Sequence, residues 1–373
     1  MQHNLSRLFG LDFLRAIAIS LVVLSHCTFL LFPEATSIVL DVIRLLGAVG
    51  VDLFFVLSGY LIGGILLKLI ASNQTKFKDL FAFWKRRWFR TLPNYFLILI
   101  LNILLLLVLG KEGVDNVYLY IPFLQNFITQ HPDFFTEAWS LSIEEYAYLL
   151  LPLLLYCSFF VFKKSNAKKV FLVATIITIA ILFMFKVYYT LNTEVVIYRA
   201  WSGTFRKVVV YRLDSIYFGF LLIYVSSQFP NWFVNCKNQL LAVGIFIFGV
   251  LHIAIFWFQL LPQTHLAFYT LFYLQILILS LGLTFPYFSN MKYKGFWKPL
   301  VYYISTRSYA IYLVNYSLVL LTIQHYFEIE DFSILQKCVV LIVYFVLTLG
   351  ISELIYKWFE QPILKFRDKK YLR

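Results

Sequence analysis

The sequence predicts an all-α membrane protein, a polytopic helix bundle of about ten transmembrane helices with the N- and C-termini both cytoplasmic. Three observations predict it. The 373 residues are 61% hydrophobic and only 14% charged, with a mean hydropathy of +0.79, more apolar surface than a soluble fold needs. Apolar runs of roughly twenty residues recur from end to end, the length that crosses a bilayer as a helix. Basic residues gather in short patches between those runs, as the positive-inside rule expects. The same distribution turns the net charge of +13 into a statement about topology, and no nucleic-acid partner is expected. The lipid bilayer is the first partner, and the chain is read as one domain over 1–373 with a basic tail from about 363.

The helices are placed near 11–31, 47–71, 91–110, 139–162, 170–190, 211–228, 239–261, 266–285, 301–325 and 334–358. The first run, Leu11 to Leu31, lacks the short apolar core and small-residue cleavage site of a removable leader, so it is expected to remain as an anchor. In the second, Gly59 and Gly63 form a small-residue step that lets another helix approach closely. The basic stretch Phe83 to Pro93 precedes the third. The run Val117 to Ile128 is too short to span and contains Pro122, so it reads as re-entrant or interfacial. Trp139 to Tyr146 opens the fourth helix on the outer side, and Arg212-Leu213-Asp214 enters the sixth. The acidic loop Glu328, Glu330, Asp331 separates the ninth from the tenth. With ten crossings the inner side receives Lys76, Lys78, Lys85, Arg86, Arg87 and Arg90, then Lys163, Lys164, Lys168 and Lys169. It also receives Lys292, Lys294 and Lys298, and finally Lys365, Arg367, Lys369, Lys370 and Arg373. Counting 117–128 as a span would strand the 163–169 patch outside.

Chemistry is first visible in the first helix. Arg15 and His26 are eleven residues apart; at roughly 100° per residue they project from one face, with Asp12 near the same stripe. A spanning helix ordinarily excludes such groups, so a buried polar pathway is expected. Asp52 on the second helix is equally costly without a partner, and Arg15 is a candidate. Arg87 and Arg90, three apart, share a helix face at the cytoplasmic entrance, where they read either as a phosphate grip or as a headgroup patch. Glu144 and Glu145 point about 100° apart. One of them orients an imidazole or stabilises its protonated form, or the pair forms an interfacial cap. Cys27, Cys157, Cys236 and Cys338 are scattered and suggest neither a disulfide framework nor a metal site.

Taken together, Leu11 to Ala18 followed by His26, the Asp52 to Ile62 segment with Ser58, the Arg87/Arg90 pair and Trp139 to Glu145 resemble the membrane-bound acyltransferase 3 family, in the family's motif order. Arg212 and Asp214, Ile304 to Leu313, and Phe359-Glu360-Gln361-Pro362 extend the resemblance over essentially the whole chain. The sequence departs from the family pattern at Phe13, Tyr146, Gln361 and Asn315, the last standing where a His often follows.

The resemblance implies transfer of an acyl group, usually acetyl, from cytoplasmic acyl-coenzyme A to a hydroxyl of a cell-surface or exported carbohydrate. It implies no permanently bound cofactor and no metal, with acyl-coenzyme A as co-substrate, in the cell (cytoplasmic) membrane. Family members without a fused periplasmic hydrolase-like domain are common, and this chain fits that type. The expected catalytic set is His26, Arg15, Glu144 and Glu145; Arg87 and Arg90 hold the donor. Asp12, Asp52, Ser58, Trp139, Arg212, Asp214 and Glu360 support them. His26 lies roughly 22 Å along its helix, nearer the outer face, and acts as general base or transient acyl carrier. The alternative from the residues alone is an oligosaccharide transporter or flippase, against which the absence of a sequence repeat counts.

Overall fold

The computed structural model describes residues 8–35, 37–110, 115–161, 166–194 and 196–371. Among them every regular element is helical. The ten apolar runs become α1 (Phe9–Leu31), α2 (Ile38–Ala71), α3 (Phe77–Val108), α4 (Ala138–Val161), α5 (Ala167–Asn192), α6 (Leu213–Gln228), α7 (Lys237–Trp257), α8 (Phe268–Ser289), α9 (Lys298–Val314) and α10 (Ile334–Lys369). Eight of these are long and apolar enough to cross a membrane. The other two are α6, with 16 residues, and α9, with 17, which continues through a π turn at Asn315–Leu320 into Leu321–Tyr326. The patch residues Lys163, Lys164 and Arg373 lie outside the described residues.

Two helices start well before the sequence suggests. For α2, Ser37 caps the end by accepting the Leu40 N–H at 3.2 Å, and Arg44 donates to the carbonyls of Phe32 at 2.6 Å and Ala35 at 3.1 Å. For α3, Asp79 accepts the Lys76 N–H at 3.1 Å, and the helix then runs straight through Lys85 to Arg90 and Pro93. Arg87 and Arg90 are therefore within α3 rather than just before it. They lie about 15–20 Å into a helix, where hydropathy alone reads a break because charged residues dilute the apolar signal.

The bundle is apolar outside and polar within. Ile245, Phe246, Ile253 and Trp257 on α7 and Ile342, Val346 and Leu354 on α10 are exposed, while Asp52, Lys186 and Arg212 are buried. That inversion is the arrangement a lipid environment requires. Close helix contact comes from the expected small residues of α2: a Cβ on Gly59 would overlap the Ile216 carbonyl oxygen of α6, and one on Gly63 would lie only 3.1 Å from Phe220 Cα. The predicted non-spanning segment 117–128 forms a short 3-10 turn, Val117–Tyr120, and then an irregular run. Several of its polar groups are held by protein. Asn126 donates to the carbonyls of Trp139 at 3.0 Å and Lys207 at 2.7 Å, and its own carbonyl accepts from Val209 N–H at 3.0 Å. Irregular backbone is tolerated at such depth only when buried in this way.

Candidate active site

Three polar stations are strung through the bundle. At the first, Arg15 on α1 donates to Asp12 and to Ser305 of α9, both at 3.2 Å, and Ser305 donates to Asp12 at 2.5 Å. From α3, Arg87 pairs with Glu144 of α4 at 3.2 Å and lies over the Tyr148 ring, 4.3 Å from its centroid. Ser58 of α2 and Tyr148 also donate to Glu144, at 2.9 and 3.2 Å, and Thr91 donates to Glu145 at 2.8 Å. Arg90 faces Arg15, Arg87, Glu360 and Arg367. It is exposed and has no ion pair among the described residues. Glu360 is buried and accepts from Asn94 at 2.8 Å. Four guanidiniums from three helices, Arg15, Arg87, Arg90 and Arg367, thus gather at one end of the bundle, with Arg90 outside any ion pair among the described residues.

The second station is sealed. Asp52 (1% exposed) is bonded to Arg212 (0%) and lies 4.0 Å from Arg206; Lys186 (0%) is bonded to Asp214. Gln275 also donates to Asp214 at 3.3 Å, and the Arg206 guanidinium sits 5.3 Å over the Trp139 ring. The sequence offered Arg15 as a partner for Asp52; the fold gives Asp52 instead to Arg212, 160 residues away, because α2 packs along α6.

The third station surrounds His26. Its Nδ1 is bonded to Asn315 Oδ1, and its ring lies 4.8 Å from that of Tyr316. The Asn315 amide nitrogen donates to the carbonyls of Ile311 at 2.7 Å and Tyr312 at 2.9 Å. This fixes the amide oxygen toward His26, where the Tyr344 hydroxyl also donates at 3.4 Å. An oxygen facing Nδ1 means that Nδ1 carries the proton, which leaves Nε2 with its lone pair as a base. Close by, Glu137 takes the hydroxyl of Ser317 and its backbone N–H, the latter at 3.3 Å. Glu137 precedes α4, and burial pushes its carboxyl up to about 7. Lys207, in the connection before α6, lies within electrostatic reach of His26; burial pushes its ammonium down to about 8.

Glu144 and Glu145 do not reach the imidazole. Their partners lie on α2, α3 and α4 itself, and Glu137, about two turns earlier, is the carboxylate on the His26 side. Glu137, Ser317, Tyr344, Lys186, Arg206 and Lys207 were not singled out from the sequence. Lys186 had a legible signal, being an isolated cation in an apolar run. Asn315 was noted only as a departure from the family pattern, yet it is the group that holds the imidazole.

A family profile described as an acyltransferase domain matches residues 8–357. The O-acetyltransferase OatA of Staphylococcus aureus strain NCTC 8325 / PS 47 is 27% identical over 380 residues, covering 95% of this chain and 57% of the relative. OatA of strains COL and MRSA252 aligns with the same identity and coverage. The chain therefore spans little more than half the length of these curated relatives. No solved structure matches it.

Proposed function

The chain belongs to this acyltransferase-domain family, and from that premise we propose that it moves an acetyl group from acetyl-coenzyme A to a hydroxyl of a cell-envelope carbohydrate, with His26 as general base. The observation that carries the reading is the His26–Asn315 contact, since it presents Nε2 as a proton acceptor. The acceptor hydroxyl gives its proton to Nε2 as its oxygen attacks the thioester carbonyl. The C–S bond breaks, and the imidazolium returns the proton to the leaving thiolate. Direct transfer of this kind balances without a metal or a covalent intermediate.

Donor binding is assigned to the first station. Arg90 and Arg87 take phosphate oxygens, the planar guanidinium being suited to paired bonds, and Arg15 stabilises the charge beside them. Arg15 and His26 are separated by about 16 Å along α1, a span that an extended pantetheine arm bridges. The basic residues at the Arg90 end support a cytoplasmic position for it in the cytoplasmic membrane, with His26 toward the outer face. Family membership favours group transfer over the transporter alternative.

The test is transfer of labelled acetyl from acetyl-coenzyme A by purified protein in nanodiscs, with envelope carbohydrate as acceptor. Label is expected in carbohydrate with the wild type and not with His26→Ala. A wild type that neither binds nor consumes the donor would overturn the proposal.

A further inference from the structure

Beside the His26 station the chain forms a cavity of about 380 Å³, lined by Asp115, Asn116, Gln125, Gln130, Asp133 and Phe134 among others. That is within the roughly 300–1,000 Å³ of small-molecule sites, and the lining combines apolar surface with amides and carboxylates. Its floor is built. Gln125 is 2% exposed and donates through Nε2 to Ser142 Oγ at 2.7 Å, while that hydroxyl donates onward to the Ala138 carbonyl at 3.3 Å. The bonding chain runs in one direction, so the side-chain oxygen of Gln125 is left as an acceptor without a donor. It is buried and has no partner among the described residues.

The same loop is short of donors elsewhere. Asn126 Oδ1 and His131 Nε2 are buried without partners. His131 Nδ1 donates to the Pro132 carbonyl at 2.7 Å, so Nε2 is a lone-pair acceptor. Buried acceptors left unpaired are costly, and of these three residues Gln125 is the one that lines the cavity, where a ligand that brings hydroxyls would supply the missing donor. One lining residue also lies within electrostatic reach of the groups around His26. Asp133 is an electrostatic neighbour of Lys207 and of Tyr316; Lys207 faces His26, and Tyr316 packs on the His26 ring.

We infer that this cavity binds the acceptor, and that the acceptor segment it takes is an uncharged saccharide whose hydroxyls donate to Gln125 and to the Asp115 and Asp133 carboxylates. The two carboxylates at the rim disfavour uronic acids and other anionic sugars. Phe134 supplies an apolar face for the C–H side of a pyranose ring. The identity of the group transferred rests on the acyl-transfer reading above; occupancy of the cavity by a saccharide does not.

Saturation-transfer NMR on the full chain in nanodiscs tests this without donor. The probes are maltotetraose, an N-acetylglucosamine tetramer and tetragalacturonate. Ring-proton signals are expected from the neutral tetramers with the wild type and not from tetragalacturonate. They are expected to fall to the level of empty nanodiscs in Gln125→Leu and, independently, in the exposed-rim double variant Asp115→Asn/Asp133→Asn. Thermal midpoints verify that both variants are folded. The absence of signal from either neutral tetramer, equal signals in wild type and both variants, or a preference for tetragalacturonate would each overturn the inference. Failure to consume acetyl-coenzyme A alongside intact, cavity-dependent saccharide binding would instead remove the acyl-transfer reading.

Discussion

The sealed station around Asp52 and the open station around Arg90 use the same chemistry to opposite ends. Within the bundle Asp52 is bonded to Arg212 and Lys186 to Asp214. At the other station Arg87 is held by Glu144, but Arg90 stands exposed beside two further guanidiniums. Paired, desolvated charges fix the packing of α2 against α5 and α6; an unpaired cation on a shared face is available to a ligand. On the proposed reading the difference separates residues that make the fold from residues that serve the reaction, although the sequence ranks them alike as intramembrane charges.

The largest expected effect breaks the sealed station. Arg212→Met leaves Asp52 without its main partner, a loss of about 3–5 kcal/mol; the yield of folded protein and its thermal midpoint should both drop. An unchanged midpoint would mean that the station is not structural. Arg90→Ala should leave the midpoint where it is. It removes a charged hydrogen-bond donor worth roughly 1.5–3 kcal/mol, so the KM for acetyl-coenzyme A should rise about tenfold or more. A lowered midpoint with normal KM would reverse the assignment of the two stations.

Asn315→Ala should lower kcat about tenfold, the worth of one bond that holds the imidazole. Asn315→Asp restores the acceptor and with it most of the turnover, with a shifted pH–rate profile that a packing role would not produce. The smallest effect concerns the loop beside the cavity. Burial pushes the His131 imidazole from 6.5 down to about 4, so the unfolded loop binds a proton that the folded one refuses. Stability of the loop is complete above pH 6.5 and is lost as the pH falls toward 4, by at most about 1.4 kcal/mol per unit. Hydrogen exchange in residues 117–134 reports it, and flat protection across that window would contradict it.

The helices were legible because bilayer thickness imposes one length on every apolar run, and the Arg15–His26 stripe because helical periodicity is fixed. The start of α3 was not, since its first four turns are amphipathic and carry Lys85 to Arg90. Contacts between distant segments were beyond reach as well. Nothing local ties Asp52 to Arg212 or His26 to Asn315, 289 residues apart. Whether Glu144 or Glu145 met the imidazole depended on the level at which α4 packs in the bundle, which only the tertiary structure decides. Glu137 escaped notice because it sits just before the recognisable Trp139 segment, and Lys186 because no motif surrounds it.

The most direct test compares His26→Ala with Arg212→Met in the same nanodiscs, reading acetyl transfer from acetyl-coenzyme A against the thermal midpoint. The account predicts that His26→Ala keeps the wild-type midpoint while transfer falls by at least about a hundredfold, and that Arg212→Met loses both together. Substantial transfer by a folded His26→Ala protein would contradict it.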